Sequence, residues 1–254
     1  MEKLFTYCSQ KYTKQEIESI LQDSLAMKKK NSRLLAILEL IEGRKILDVG
    51  CHVGVMARLM EKEGREILGV DVLEPAIEIA RTFNQTDNVM YRCGDIFDMK
   101  FQDNAFDCVL FLETIEHVDN PDRYLKEFLR ILKPGGSLII STPNAVSCVN
   151  ILYQLPIFTK RRQKKFIESL SSEPRDSGTQ LDHIFLWDFR TLLRLLVRNG
   201  FVYSQHRFAD APPFPKRIGD MLMPVIGTKE MRFLLPLLGP YLSTIIAKVK
   251  KTNG

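Results

Sequence analysis

Three residues able to do chemistry stand close together in Glu113-Thr114-Ile115-Glu116-His117. If they begin a helical turn, Glu113, Glu116 and His117 occupy positions i, i+3 and i+4 and share one face. Two carboxylates and an imidazole on one face can bind a divalent cation. Oxygen-rich ligands with one or two histidines suit Mg²⁺, Mn²⁺ or Fe²⁺ more than a structural zinc. Without a metal, His117 alone can take a proton from a hydroxyl as a general base. The plainer alternative is that His117 only lines a pocket.

A second group surrounds the run Ile46-Leu47-Asp48-Val49-Gly50-Cys51-His52-Val53-Gly54. Glycine lets a backbone take up positive φ and come close to a ligand. A nicotinamide enzyme would carry G-x-G-x-x-G here, and the spacing from Gly50 to Gly54 does not fit it. Asp71 ends Gly69-Val70-Asp71, 21 residues after Gly50, where a carboxylate can accept hydrogen bonds from both ribose hydroxyls. Asp95 ends Tyr91-Arg92-Cys93-Gly94-Asp95 in the same manner. Either acid taken singly reads equally well as a helix cap or a solvated loop residue. In sequence order, each at a strand end, they describe one site.

The elements that must position these residues follow from periodicity. Apolar residues at helical spacing over 14–42 give two helices, the second stopped by Gly43. Strands are predicted at 45–49, 66–70, 89–93, 106–112 and 138–141, with helices over 54–63, from Pro75 to about Phe83, and over 122–132. Lys133-Pro134-Gly135-Gly136 reads as the turn that closes the last of these helices. A helix over 187–198, a sixth strand over 201–208 and a last strand over 241–249 follow. Short apolar strands alternating with helices imply an α/β, doubly wound, mainly parallel sheet. In such a sheet ligands bind beyond the carboxyl ends of the strands, where the strand order reverses.

The glycine run is similar to the D-x-G-x-G-x-G turn of class I S-adenosylmethionine-dependent methyltransferases, with His52 in place of the middle glycine. Phe106–Val118 and Leu132–Asn144 resemble the branch that includes the ubiquinone-biosynthesis O-methyltransferases. The likeness covers about residues 44–145 well and continues weakly through Asp182–Phe201. It implies a seven-stranded sheet with helices on both faces and an N-terminal helical cap. It divides a single domain, 1–254, into the cap (1–43), the cofactor-binding core (44–144), an insertion (145–181) and a C-terminal part of the sheet and acceptor-side cap (182–254).

The same resemblance implies S-adenosylmethionine as cofactor, held by Asp48, Gly50, Gly54, Asp71, Val72, Asp95, Ile96 and Leu112. Asp95 would hold the adenine amino group and Ile96 would pack the ring. Glu113, Glu116 and His117 would face the acceptor. In small-RNA 2′-O-methyltransferases an E-x-x-E-H run and a distant histidine bind a metal. That makes Glu113, Glu116, His117 and His183 a candidate site for Mg²⁺ or Mn²⁺. The expected reaction is methyl transfer to oxygen of a small or lipid-like acceptor. Two alternatives stay open: a cofactor-binding module without catalysis, which His52 favours, and a metal-assisted RNA 2′-O-methyltransferase.

Charge and composition constrain the partners. The chain of 254 residues has net charge +5, yet residues 46–144 hold 10 Lys/Arg against 17 Asp/Glu and the remainder 26 against 14. Basic runs at 28–30, 160–165 and 248–251 flank an acidic core. They read as a solvated surface or as attraction to anionic headgroups, so peripheral membrane contact enters the expectation. Basic residues are not interleaved with aromatics as base-stacking surfaces require, which disfavours nucleic acid. The apolar stretch 218–238 is broken by Pro224, Gly227 and Pro236, and reads as a packed helix or as an apolar lip for a lipid acceptor. His206 reads as a structural residue. No signal pattern at Met1–Phe5, no membrane span and five cysteines without CxxC pairing give a cytoplasmic protein as the default expectation. The oligomeric state leaves no mark in the sequence.

Overall fold

The computed structural model describes residues 32–60, 64–83, 86–147, 184–209 and 243–253. The first of the two N-terminal helices, most of the 145–181 insertion, His183 and the 218–238 stretch lie outside these residues.

Seven strands form one sheet: β1 (Lys45–Val49), β2 (Glu66–Asp71), β3 (Val89–Cys93), β4 (Phe106–Leu112), β5 (Leu132–Pro143), β6 (Val202–Ala209) and β7 (Thr244–Lys250), in the order β3-β2-β1-β4-β5-β7-β6. The first five strands pair in parallel, and β7 runs antiparallel to both β5 and β6. The order reverses between β1 and β4, so the crevice of this sheet opens above the ends of those two strands.

Alternation along the strands sends side chains to two cores. Leu47, Val49, Val109 and Phe111 pack with Leu125 and Phe128 of α4 (Pro121–Ile131) and with Leu192 and Leu196 of α5 (Phe189–Arg198). Ile46, Ile67, Cys108 and Leu110 pack on the opposite face. Their partners are Ile37 and Leu40 of α1 (Ser32–Leu40), Met56 and Met60 of α2 (Val55–Met60), and Ile77 and Ala80 of α3 (Glu74–Phe83). Burying each such Leu, Ile or Phe contributes about 1.5–3 kcal/mol. Helices on both faces are what a parallel sheet requires, because neither face can meet water.

Helix boundaries follow local chemistry. Asn120 caps α4, its side chain accepting from the Arg123 N–H, with Pro121 at the first helical position where a missing N–H costs nothing. Asp188 caps α5, accepting from the N–H groups of Arg190 and Thr191. The expected helix over 187–198 therefore starts two residues later, because Asp188 stands outside it as the cap.

One expectation is corrected. β5 starts at Leu132, not at 138, and Lys133-Pro134-Gly135-Gly136 lies within it. Leu132 pairs with Phe106 and Ser137 with Cys108, so the intervening residues bulge out of the ladder. The Gly135 N–H donates to Lys251 O at 3.1 Å and the Lys251 N–H to Gly136 O at 2.9 Å. These bonds to the chain beyond β7 hold the bulge as strand.

Lys248 of β7 is buried, 1 % exposed. Its ammonium donates to Leu40 O at 2.8 Å, at the end of α1, and meets Glu42 Oε1 at 2.6 Å. This pins α1 to the sheet. Glu42→Gln leaves a buried ammonium without its counter-charge. Because Glu42 itself is largely exposed, the expected loss is about 1–2 kcal/mol of unfolding free energy. Urea denaturation measures it, and an unchanged midpoint would show the contact to be idle.

Candidate functional site

The chain between β1 and α2 turns through three left-handed residues: Gly50 (φ 76), His52 (φ 47) and Gly54 (φ 77). A side chain on Gly50 would meet Thr114 Oγ1 at 2.4 Å, and one on Gly54 would meet the Tyr91 hydroxyl at 2.3 Å, so both positions admit glycine alone. His52 is exposed. Its backbone therefore does what a glycine would do while its side chain stays out of the interior. A histidine in this region is strained by about 1 kcal/mol relative to glycine. His52→Gly is expected to raise unfolding free energy by up to about that amount, read from a chemical denaturation midpoint; a fall would contradict the assigned backbone.

The turn aims Asp71. Its Oδ2 accepts from the His52 N–H at 2.8 Å and its Oδ1 from the Leu73 N–H at 3.0 Å. Gly50 and Cys51 both donate to Val70 O, and the Gly94 N–H donates to Asp71 O, so the ends of β1, β2 and β3 are tied together. Val72 beside it is exposed. Asp48, within β1, is 2 % exposed. Burial first, and then the nearby Asp71 charge, push its carboxyl up to about 7. Two acids this close, one of them desolvated, form a site that a cationic ligand would relieve.

Asp95 follows β3, its Oδ1 accepting from the Phe97 N–H at 3.1 Å, while Ile96 beneath it is buried. Leu112, at the end of β4, is partly buried and its carbonyl accepts from Thr114 Oγ1 at 2.8 Å. The expected cofactor residues Asp48, Gly50, Gly54, Asp71, Asp95, Ile96 and Leu112 thus lie at the carboxyl ends of four adjacent strands and the turns that leave them.

The Glu113–His117 segment departs from its expectation. It is a turn rather than the start of a helix, because Glu113 takes φ 48. The Glu113 N–H donates to Ser141 O at 2.9 Å, and its Oε1 accepts from Ser141 Oγ at 2.7 Å. Its other oxygen meets Arg33 of α1 at 3.0 Å. Glu116 is buried, 1 % exposed, with Oε2 accepting from Thr142 Oγ1 at 3.0 Å. Its Oε1 has no partner among the described residues. Burial, aided by Glu113, pushes this carboxyl up to about 7. His117 is exposed. The three side chains do not share a face, and among the described residues no three His, Cys, Asp or Glu side chains come together as a metal site. His183 lies outside the described residues, although Ile184 and Phe185 both donate to Glu116 O.

Arg33, Ser141 and Thr142 escaped the sequence reading. The signal for the last two was the change from apolar to polar at the end of Leu138-Ile139-Ile140-Ser141-Thr142. His206 is a packing residue as expected: it bonds the Tyr203 hydroxyl at 2.7 Å and lies against the Phe189 ring.

Residues 47–140 match a family model described as a methyltransferase domain. The chain is 36% identical over 106 residues to a ubiquinone biosynthesis O-methyltransferase of Coxiella burnetii, covering 41% of this chain and 45% of that protein. It thus spans less than half the length of the curated relatives it matches. Among solved structures it is similar to phosphoethanolamine N-methyltransferase 2 of Haemonchus contortus in complex with S-adenosyl-L-methionine. There the TM-score is 0.61 and the identity 18%, covering 96% of this chain and 58% of that one. A methyltransferase of Thermotoga maritima gives a TM-score of 0.57 at 20% identity, covering 87% and 88%. At these identities the structural likeness speaks for the fold.

Proposed function

We infer that this chain, whose core is that of a class I S-adenosylmethionine-dependent methyltransferase, transfers a methyl group to an oxygen of a small or lipid-like acceptor. The observation that carries the reading is the set of acids at the strand ends, Asp48, Asp71 and Asp95, arranged around a turn whose glycines tolerate no side chain. S-adenosylmethionine bears an ammonium and a sulfonium, and it supplies an activated methyl for in-line displacement.

Each acid has a distinct task. Asp48, whose proton is retained by burial, would ionise against the ammonium. Asp71 would accept from the ribose hydroxyls, already oriented by the His52 and Leu73 amides. Asp95 would accept from the adenine amino group. The protein's share in such a displacement is mostly position and orientation. A hydroxyl acceptor must also lose its proton. His117, whose side chain is exposed, would take it on its imidazole nitrogen. Oxygen as the methylated atom follows the curated relatives, whose names specify O-methylation.

A divalent cation is not part of this reading. The Glu113 carboxylate is engaged by Arg33 and Ser141, Glu116 is buried and His117 is exposed, so the described donors do not fit one ion, and metal-assisted RNA methylation is not favoured. Among the described residues no helix is long and apolar enough to cross a membrane. Contact of the basic runs at 28–30 and 160–165 with an anionic membrane surface, where a lipid-like acceptor would be met, is part of the proposal; the run at 248–251 is not, because Lys248 is buried and paired with Glu42.

Calorimetric titration of S-adenosylmethionine and S-adenosylhomocysteine, followed by turnover assays on small phenols and prenylated catechols, tests it. Micromolar binding with release of S-adenosylhomocysteine is expected. Binding without turnover on any acceptor class would favour the non-catalytic module. Absence of binding would remove both readings.

A further inference from the structure

We propose that Arg123 is a positioning residue for the adenine end of the site: its guanidinium, laid over the Phe97 ring, fixes the turn that aims Asp95. The proposal rests on the methyltransferase reading. The Asp95 carboxylate is held by one bond inside its own turn, the Phe97 N–H to Oδ1, with the Asp98 N–H donating to Asp95 O behind it. Where Phe97 sits therefore decides where the other carboxylate oxygen points.

Phe97 is gripped by two consecutive residues at the start of α4. The Arg123 guanidinium carbon lies 3.6 Å from its ring centroid. Tyr124 meets the same ring edge-on, with centroids 4.9 Å apart. Tyr124 in turn stacks on Phe111, at 5.5 Å and 19°, and Phe111 is fully buried in β4 opposite Val49 of β1. The Asp95 turn is thus braced against β4, the neighbour of the strand whose end carries the glycine turn. A planar guanidinium suits this stack better than an ammonium. Arg123 is exposed on the wall of an open groove with Asn120, Lys126 and Arg198, so replacing it disturbs no core.

The test compares S-adenosylhomocysteine with S-inosylhomocysteine, which lacks the exocyclic amino group, by calorimetry on wild type, Arg123→Ala, Arg123→Lys and Phe97→Leu. Arg123→Ala is expected to weaken S-adenosylhomocysteine binding about fivefold, the size of an exposed cation–π contact, and to leave the inosine analogue nearly unchanged. Phe97→Leu should reproduce that selective loss, and Arg123→Lys should retain part of the affinity. Equal losses for both ligands, no loss for either, or a wild type that binds both equally well would overturn the proposal. Failure of wild type to bind S-adenosylhomocysteine would instead reject the methyltransferase reading, and that outcome appears before any substitution is made.

Discussion

Asp71→Ala is expected to cost at least about 100-fold in affinity for S-adenosylhomocysteine. Two hydrogen bonds to an ionised carboxylate would be lost, and each contributes about 1.5–3 kcal/mol. The same change orphans the His52 and Leu73 amides, which donate to Asp71 at 2.8 and 3.0 Å, so the glycine turn loosens as well. Unfolding free energy should fall by about 1–2 kcal/mol. Asp71→Asn separates the two effects. It keeps a carbonyl oxygen for one amide and the volume of the side chain while removing the charge. It should recover most of the stability and little of the affinity. Titration calorimetry with urea denaturation reads both quantities. An alanine variant that binds like wild type would remove Asp71 from the cofactor site.

The second large effect is a pH dependence set by Asp48. Its carboxyl titrates in the fold at about 7, far above an ordinary aspartate, so the folded state holds a proton that the unfolded chain releases. That contribution to stability is complete below the unfolded pKa and is lost as pH rises through 7. Stability of the ligand-free protein should therefore decline from about pH 4 to about pH 7 and level off above it, with a slope of up to about 1.4 kcal/mol per pH unit for one such group. Glu116, pushed up to about 7 in the same way, acts in the same direction. Asp107, Asp188 and Glu42 are held below the ordinary range. Their contributions are lost at lower pH and leave this window clear.

A ligand bearing an ammonium favours ionised Asp48. Its binding should tighten as pH rises from 6 to 8, by up to about tenfold per pH unit. Asp48→Asn should flatten the binding slope and reduce the stability slope by about half, the Glu116 share remaining, as measured by calorimetry and urea denaturation at pH 5.5 and 8. Parallel slopes in wild type and variant would show that the titrating group lies elsewhere.

The strand ends and turns that carry Asp48, Asp71 and Asp95 were legible because their causes are local. A buried parallel strand reads as an apolar run, glycine marks left-handed backbone, and an acid at a strand end stands out against Ile46-Leu47 or Gly69-Val70. The course of Glu113–His117 was not. The spacing of Glu113, Glu116 and His117 allows a helical face. The segment instead turns at Glu113, with φ 48, because its N–H and carboxylate both bond Ser141, 28 positions along the chain. The pairing of Arg33 with Glu113 spans still more sequence and leaves no periodic trace. In the bulge at Lys133–Gly136 the residues that mark a turn are present, and the strand assignment comes from their bonds with Lys251.

The place of β7 in the sheet governs the order of assembly. β5 and β6 are not neighbours: β7 lies between them and bonds to both, and it is the last of the described strands to leave the ribosome. Until that strand arrives, β6 and α5 have no ladder to join, and the end of α1 lacks the ammonium that anchors it. The parallel half, β1 to β5, can close earlier from contacts nearer in sequence. Synthesis should pass through a stage in which the parallel half is formed and the part holding β6 and β7 is not, with the open edge of β5 exposed to wrong pairing.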